Sequence, residues 1–216
     1  TLAPDGSRLF VASGSTDKIS VVDTRSLRVV ATLSDPSPAG TGEGSTPNAI
    51  AVSPDGGRLF VAEADNNAVA VFTLSAGTSG VATVQTADSL IGRIPVGWYP
   101  SALIATKDSL FVVNAKGKRT WPNPKGPGRG SWREKQGPMS STLSQLAGTF
   151  ISMSLPRDDA SLAEYSARVT RANGWDKTRA AFAYPPIEHV IYIVKENRTY
   201  DQVLGDLSQA DGDTAL

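Results

Sequence analysis

The sequence has no cysteine, a single histidine, and no apolar run near the roughly 18 residues that a membrane-crossing helix requires. The lack of cysteine excludes disulfides and thiolate metal sites, but it leaves the compartment open. The lack of a long apolar run leaves no transmembrane segment to be expected in this chain. An excess of one charge sign is missing as well. The 21 basic and 21 acidic side chains cancel, so neither nucleic acid nor an anionic membrane is expected as a general partner. There is no basic segment followed by an apolar one at the start, and the first residue is Thr1, not Met. Thr1 to Gly6 already reads as the middle of a repeat, so the expectation is a chain that opens inside a longer protein.

Turn chemistry is plentiful, with 20 glycines and 14 prolines. The segment Pro4-Asp5-Gly6-Ser7-Arg8-Leu9-Phe10-Val11-Ala12 recurs 50 residues later as Pro54-Asp55-Gly56-Gly57-Arg58-Leu59-Phe60-Val61-Ala62. A weaker third copy is Lys107-Asp108-Ser109-Leu110-Phe111-Val112-Val113, with Phe111 lying 51 residues after Phe60. In the first two copies Asp-Gly supplies the positive φ of a tight turn, and in all three an apolar strand follows. A second strand is expected at Lys18 to Asp23 and at Ala68 to Phe72. A third is expected at Arg28 to Leu33 and at Ile91 to Val96. Leading strands precede the turns at Ala49 to Val52 and Ala102 to Ala105. Four short strands in a repeat of about 40–50 residues is the pattern of a β-propeller blade. An ordinary β-sandwich is the competing reading.

Lys116 to Pro138 interrupts the third repeat. It holds Pro122, Pro124 and Pro127, seven basic residues and a single acid, Glu134, and is expected to be a long loop. Trp121 and Trp132 interleave with its charges. They read as aromatics packed on the propeller rather than a nucleic-acid platform. Leu146 to Leu155 resumes as a strand. Asp158 and Asp159 then begin a helix whose Leu162, Tyr165, Val169 and Ala172 share one face, with Gly174 as its stop. Tyr184-Pro185-Pro186 is a stiff joint.

The pattern changes at Val190-Ile191-Tyr192-Ile193-Val194, a continuous apolar run that reads as a strand enclosed on both faces. Polar Lys195 to Thr199 follows, and then Tyr200, Val203, Leu204 and Leu207 take the spacing of an amphipathic helix. Strand, polar turn and helix form the opening unit of an α/β domain, with ligands expected at the carboxyl end of the strand. The fold class is therefore mainly β. A partial β-propeller of about three blades spans 1–156, a helical connector spans 157–186, and the first β-α unit of a truncated α/β domain spans 187–216.

The repeats, with Ser53-Pro54-Asp55-Gly56 and Ile19-Ser20-Val21-Val22-Asp23-Thr24, resemble YVTN-type β-propellers. Ile187 to Asp201, ending Glu196-Asn197-Arg198-Thr199-Tyr200-Asp201, resembles the opening of the alkaline-phosphatase-like phosphoesterase family that includes bacterial phospholipases C and some acid phosphatases. That family has Ser and Phe where this chain has Thr199 and Tyr200. The resemblance implies a metal-dependent hydrolase of phosphate esters, acting on a small phosphate ester or a phospholipid, with the propeller as platform or lid. It implies a divalent metal ion held by Glu196 and Asn197, and a periplasmic or secreted location. The nucleophile is expected beyond Leu216, and Thr199 is not assigned that role. A carboxylate and an amide carbonyl are hard oxygen donors suited to such an ion.

Each of these residues also has a plainer reading. Glu196 and Asn197 could satisfy backbone N–H groups at a helix start. Asp201 is either a carboxylate that orients the turn or a solvated first-turn acid. Arg198 either faces a phosphoryl group or pairs with an acid. His189, at the start of the strand, is far from its carboxyl end and reads as structural. The alternative for the whole protein is a non-catalytic binding or scaffolding propeller.

Overall fold

A computed structural model describes residues 1–38, 44–75, 88–120, 146–177, 186–192, 204 and 207–209. The strands form three separate antiparallel sheets, each built from consecutive strands. The first holds β1 (Arg8–Ser13), β2 (Lys18–Asp23) and β3 (Arg28–Ser34). The second holds β4 (Pro47–Val52), β5 (Arg58–Glu63), β6 (Ala68–Thr73) and β7 (Ser89–Pro95). The third holds β8 (Pro100–Ala105), β9 (Ser109–Thr120) and β10 (Leu146–Ser154). A helix, α1 (Asp159–Asn173), follows. The sheets are the blades of a partial β-propeller, a meander repeated about every 50 residues and stacked face to face, and a two-sheet sandwich is excluded.

The repeat in sequence is a repeat in hydrogen bonds. Ser53 N–H donates to Arg58 O at 2.9 Å where β4 turns into β5, and Ala3 N–H donates to Arg8 O at 2.8 Å in the first blade. A bridge between Leu2 and Leu9 supplies the missing leading strand of that blade in outline. Both turns need a left-handed backbone at their glycine, φ 73° at Gly6 and 75° at Gly56, which no β-branched or bulky residue adopts readily. Between blades a second motif recurs. Asp17 and Asn67 take φ 51° and 53°, as short polar side chains tolerate. Their Oδ1 atoms accept from Thr46 N–H at 3.1 Å and Tyr99 N–H at 2.9 Å, at the entrance of the next blade.

Each strand has two faces, and in the middle blade both are buried. Leu59, Val61, Ala70 and Phe72 pack on Phe10, Ile19, Val21 and Leu33 of the first blade. Phe60, Ala62, Val69, Val71 and Ile94 pack on Leu103, Leu110 and Val112 of the third. At roughly 1.5–3 kcal/mol per large apolar side chain fully buried, these two interfaces are the main favourable term in the fold.

Helix α1 closes the second interface through Leu162 and Tyr165. Its start and stop match the sequence expectation. Asp158 Oδ1 accepts from Ser161 N–H at 2.8 Å. Gly174, at φ 67°, lets its own N–H and that of Trp175 reach Arg171 O and Thr170 O. The helix lies directly on β7 because Gly92 has no side chain. A methyl there would sit 2.7 Å from Leu162 Cγ and 2.8 Å from Ser166 Oγ. Gly92→Ala is therefore expected to lift α1 and destabilise the fold by about 1–3 kcal/mol. A urea midpoint equal to that of the parent would show that the helix yields freely.

Two expectations are corrected. The loop placed from Lys116 starts later, because β9 continues to Thr120. Ala115 N–H and Lys116 N–H donate to Tyr99 O and Trp98 O at 2.8 and 3.2 Å, which holds this stretch extended despite its polar sequence. The strand expected from Val190 does not form over residues 190–192, and Val190, Ile191 and Tyr192 are 80%, 87% and 86% exposed. A strand enclosed on both faces needs neighbouring strands and covering helices.

Candidate functional site

The four residues singled out by sequence, Glu196, Asn197, Arg198 and Asp201, lie outside the described residues, as do 121–138 of the basic loop. Among the described residues no group of three or more His, Cys, Asp or Glu side chains is placed to hold a metal ion. The chemistry that is on view lies in two other places, at the rims of the blades.

The first is a sealed ion cluster between blades one and two. Glu63 ends β5, and Arg93 on β7 reaches it across β6, where the paired residues are Ala68 and Ala70. Larger side chains there would block the contact. Arg93 Nε donates to Glu63 Oε1 at 2.8 Å and Oε2 at 3.0 Å. Its Nη2 donates to Pro36 O at 3.0 Å and lies 3.5 Å from Asp35 Oδ1, both just past β3. Trp175 covers the guanidinium, its ring centroid 5.3 Å from Cζ. Asn173 Nδ2 donates to Asn66 O at 3.0 Å and ties the end of α1 to the same rim. Asp35 and Glu63 have no solvent exposure.

One guanidinium thus faces two carboxyl groups. Among the described residues Asp35 Oδ2 meets no hydrogen-bond donor. Burial first, and the neighbouring Glu63 second, push its carboxyl up to about 9. The cluster clamps the two blades and offers no atom to a dissolved substrate. A second clamp holds the opposite end of the interface. Arg8 pairs with Asp88 at 3.0 Å and donates to Ser75 O at 2.9 Å.

The second place is open to solvent. Gly97-Trp98-Tyr99-Pro100 takes the register of Gly44-Ser45-Thr46-Pro47 one blade earlier, and Thr46 and Tyr99 share a positive φ, 52° and 61°. An aromatic pair therefore replaces a hydroxyl pair in blade three. Lys116 Nζ stands 5.4 Å from the Trp98 ring and 4.8 Å from the Tyr99 ring, and Trp98 is half exposed. Beside it Asn114, in the register of Glu63, is fully buried. Its Nδ2 donates to Thr149 Oγ1 at 3.1 Å, while its Oδ1 has no partner among the described residues.

Sequence reading missed both places. The signal was a charged residue inside each apolar strand. Glu63 stands where the first repeat has Ser13, and Arg93 interrupts Ile91-Gly92-Arg93-Ile94.

No family model and no curated protein matches the chain. Among solved structures it is similar to hydrazine synthase of Kuenenia stuttgartiensis, at 26% identity and TM-score 0.43 over 56% of this chain and 29% of that one. It is similar to the Swd1 β-propeller domain of Myceliophteria thermophila, at 12% identity and TM-score 0.37 over 52% of this chain and 34% of that one. Hsv2 of Kluyveromyces lactis is similar at 14% identity and TM-score 0.38, over 58% and 42% of the two chains. The chain spans less than half the length of each of these structures.

Proposed function

We propose that the protein is a metal-dependent hydrolase of phosphate esters, with a YVTN-type propeller as the platform beside its catalytic domain. The observation that carries this reading is the apolar run Val190 to Val194, separated from Glu196-Asn197 by Lys195 alone. In the intact domain the strand end would present Glu196 and Asn197 as oxygen ligands to a divalent cation. Such a cation polarises a phosphoryl oxygen and activates a nucleophile. Asp201 would orient the turn, and Arg198 would pair with a nearby acid. The same resemblance supports a periplasmic or secreted location.

The test is hydrolysis of a chromogenic phosphate monoester and diester by the full-length protein, with and without chelator. Loss of a residue behind a metal ligand typically lowers activity 10–100-fold, so Glu196→Ala is expected to lose about 100-fold or more. Chelator is expected to abolish turnover. Unchanged rates in Glu196→Ala would remove this residue from the mechanism. Residues 1–216 alone are expected to be inactive, because two ligands fall short of the three or four that hold a catalytic ion.

A second reading, a non-catalytic binding propeller, draws on the exposed Trp98 with Lys116 stacked against it. Exposed aromatic and cationic groups side by side suit ligand contact. Turnover that responds to neither chelator nor Glu196→Ala would favour it.

A further inference from the structure

The rims of blades two and three share one backbone and differ in chemistry. Ala64 N–H and Asp65 N–H donate to Thr46 O and Ser45 O at 3.1 and 3.3 Å. Ala115 N–H and Lys116 N–H repeat both bonds, to Tyr99 O and Trp98 O at 2.8 and 3.2 Å. Pro47 pairs with Glu63 as Pro100 pairs with Asn114, with the same register shift next to it. Lys116 therefore takes the place of Asp65, and Asn114 that of Glu63. In blade two the side chains satisfy one another. Thr46 Oγ1 donates to Asp65, Asn66 Nδ2 donates to Ser45 Oγ at 2.9 Å, and Glu63 is paired with Arg93. In blade three the two carboxylates give way to an amide and an ammonium, and the two hydroxyls give way to rings.

The fold does not require this exchange, since blade two builds the same rim from small polar residues. Lys116 Nζ lies within cation–π distance of both rings and has no carboxylate partner among the described residues. Aromatic walls hold an ammonium in place without cancelling its charge, which stays available to an outside anion. The absence of both carboxylates from this rim removes what would repel one. Lys116 shares the face of β9 that carries Leu110 and Val112, which pack toward blade two, and Asn67 of blade two holds Tyr99 N–H at 2.9 Å. The ammonium thus stands at the seam between two blades. We propose that Lys116, held by Trp98 and Tyr99, binds the phosphoryl group of a small phosphorylated organic molecule whose organic part rests on the rings. Lysine serves a phosphoryl group as a point charge, whereas planar, bidentate recognition of a carboxylate favours arginine. The assignment rests on the same residues as the binding reading above and is independent of Glu196.

The experiment is titration calorimetry of phenylphosphonate into the full-length protein carrying Glu196→Ala, with chelator present. The P–C bond of this probe is not an ester, and the chelator removes any metal-held phosphoryl site, so a failure of the hydrolase reading leaves this binding measurable. The expected result is saturable binding with a Kd of about 0.1–1 mM. Lys116→Met is expected to weaken it at least about tenfold, the effect of losing one hydrogen bond to a charged group. Inorganic phosphate, which has nothing to lay on the rings, is expected to bind about threefold or more weakly than phenylphosphonate. Trp98→Ser with Tyr99→Thr and Lys116→Asp restores the set that blade two carries. This triple variant is expected to keep the parent's circular dichroism and urea midpoint and to bind neither probe. Absence of saturable binding in the parent overturns the proposal. So does binding that Lys116→Met leaves unchanged, or equal affinity for inorganic phosphate and phenylphosphonate.

Discussion

Arg93→Met is expected to destabilise the protein by about 3–5 kcal/mol, the usual penalty for removing one member of a buried ion pair. The guanidinium has three distinct tasks. Its Nε–H is shared between both oxygens of Glu63, its Nη2 donates to Pro36 O, and among the described residues it is the cation that faces Asp35. Methionine keeps the apolar stem and the contact with Trp175 but leaves two enclosed carboxyl groups without a cation. The measurement is the urea midpoint, with Trp175 fluorescence as a local probe of the lid. Replacing the whole set, as Arg93→Met with Glu63→Leu and Asp35→Asn, is expected to recover most of the loss. Apolar substitutes for buried ion pairs are often neutral or better. A single substitution that shifts stability by less than about 1 kcal/mol would show that water enters the cluster and screens it.

What the sequence made legible follows from how each feature is encoded. The blades were readable because Asp5-Gly6 and Asp55-Gly56 announce a turn by local backbone demands, and Leu-Phe-Val-Ala announces a strand by composition. The helix was readable because Asp158, Gly174 and the Leu162–Val169 spacing each act within a few residues. The ion cluster was not, because it joins Asp35, Glu63 and Arg93 from three strands' ends across two blades. No local rule couples residues 58 positions apart. The start of the basic loop was misplaced for the same reason. The β9 backbone beyond Asn114 is held by the carbonyls of Trp98 and Tyr99, which its own composition does not foretell. The same limit left the pairing of Trp98 with Lys116 unread, since their stacking depends on β9 passing beside the entrance to β8. For Glu196 and Asn197 the motif alone carries the reading.

Stability is expected to fall as pH rises from about 5 to 8, by up to about 1.4 kcal/mol per unit, and Asp35→Asn is expected to abolish that slope. The sign follows from where the proton sits. The usual carboxyl value is 3.8, and in the fold Asp35 is held up to about 9, by burial first and by Glu63 second. Between those values the folded chain keeps a proton that the unfolded chain releases, so folding takes one up and alkali opposes it. Asp17 adds to the effect, and Arg93 opposes it. Four exposed carboxylates act the other way, but only in acid. Asp5, Asp23, Asp55 and Asp158 are lowered by hydrogen bonds from Ser7, Ser26, Ser53 and Ser161, so what they contribute fades as pH drops below about 4. The urea midpoint should therefore peak near pH 4–5 and decline on both sides. Asparagine at position 35 keeps the size of the side chain and cannot ionise, so the alkaline limb should flatten while the acid limb remains. A parent midpoint that holds level from pH 5 to 8 would mean that the cluster carries both negative charges. Arg93 alone would then have to neutralise a carboxylate that it reaches through one 3.5 Å contact.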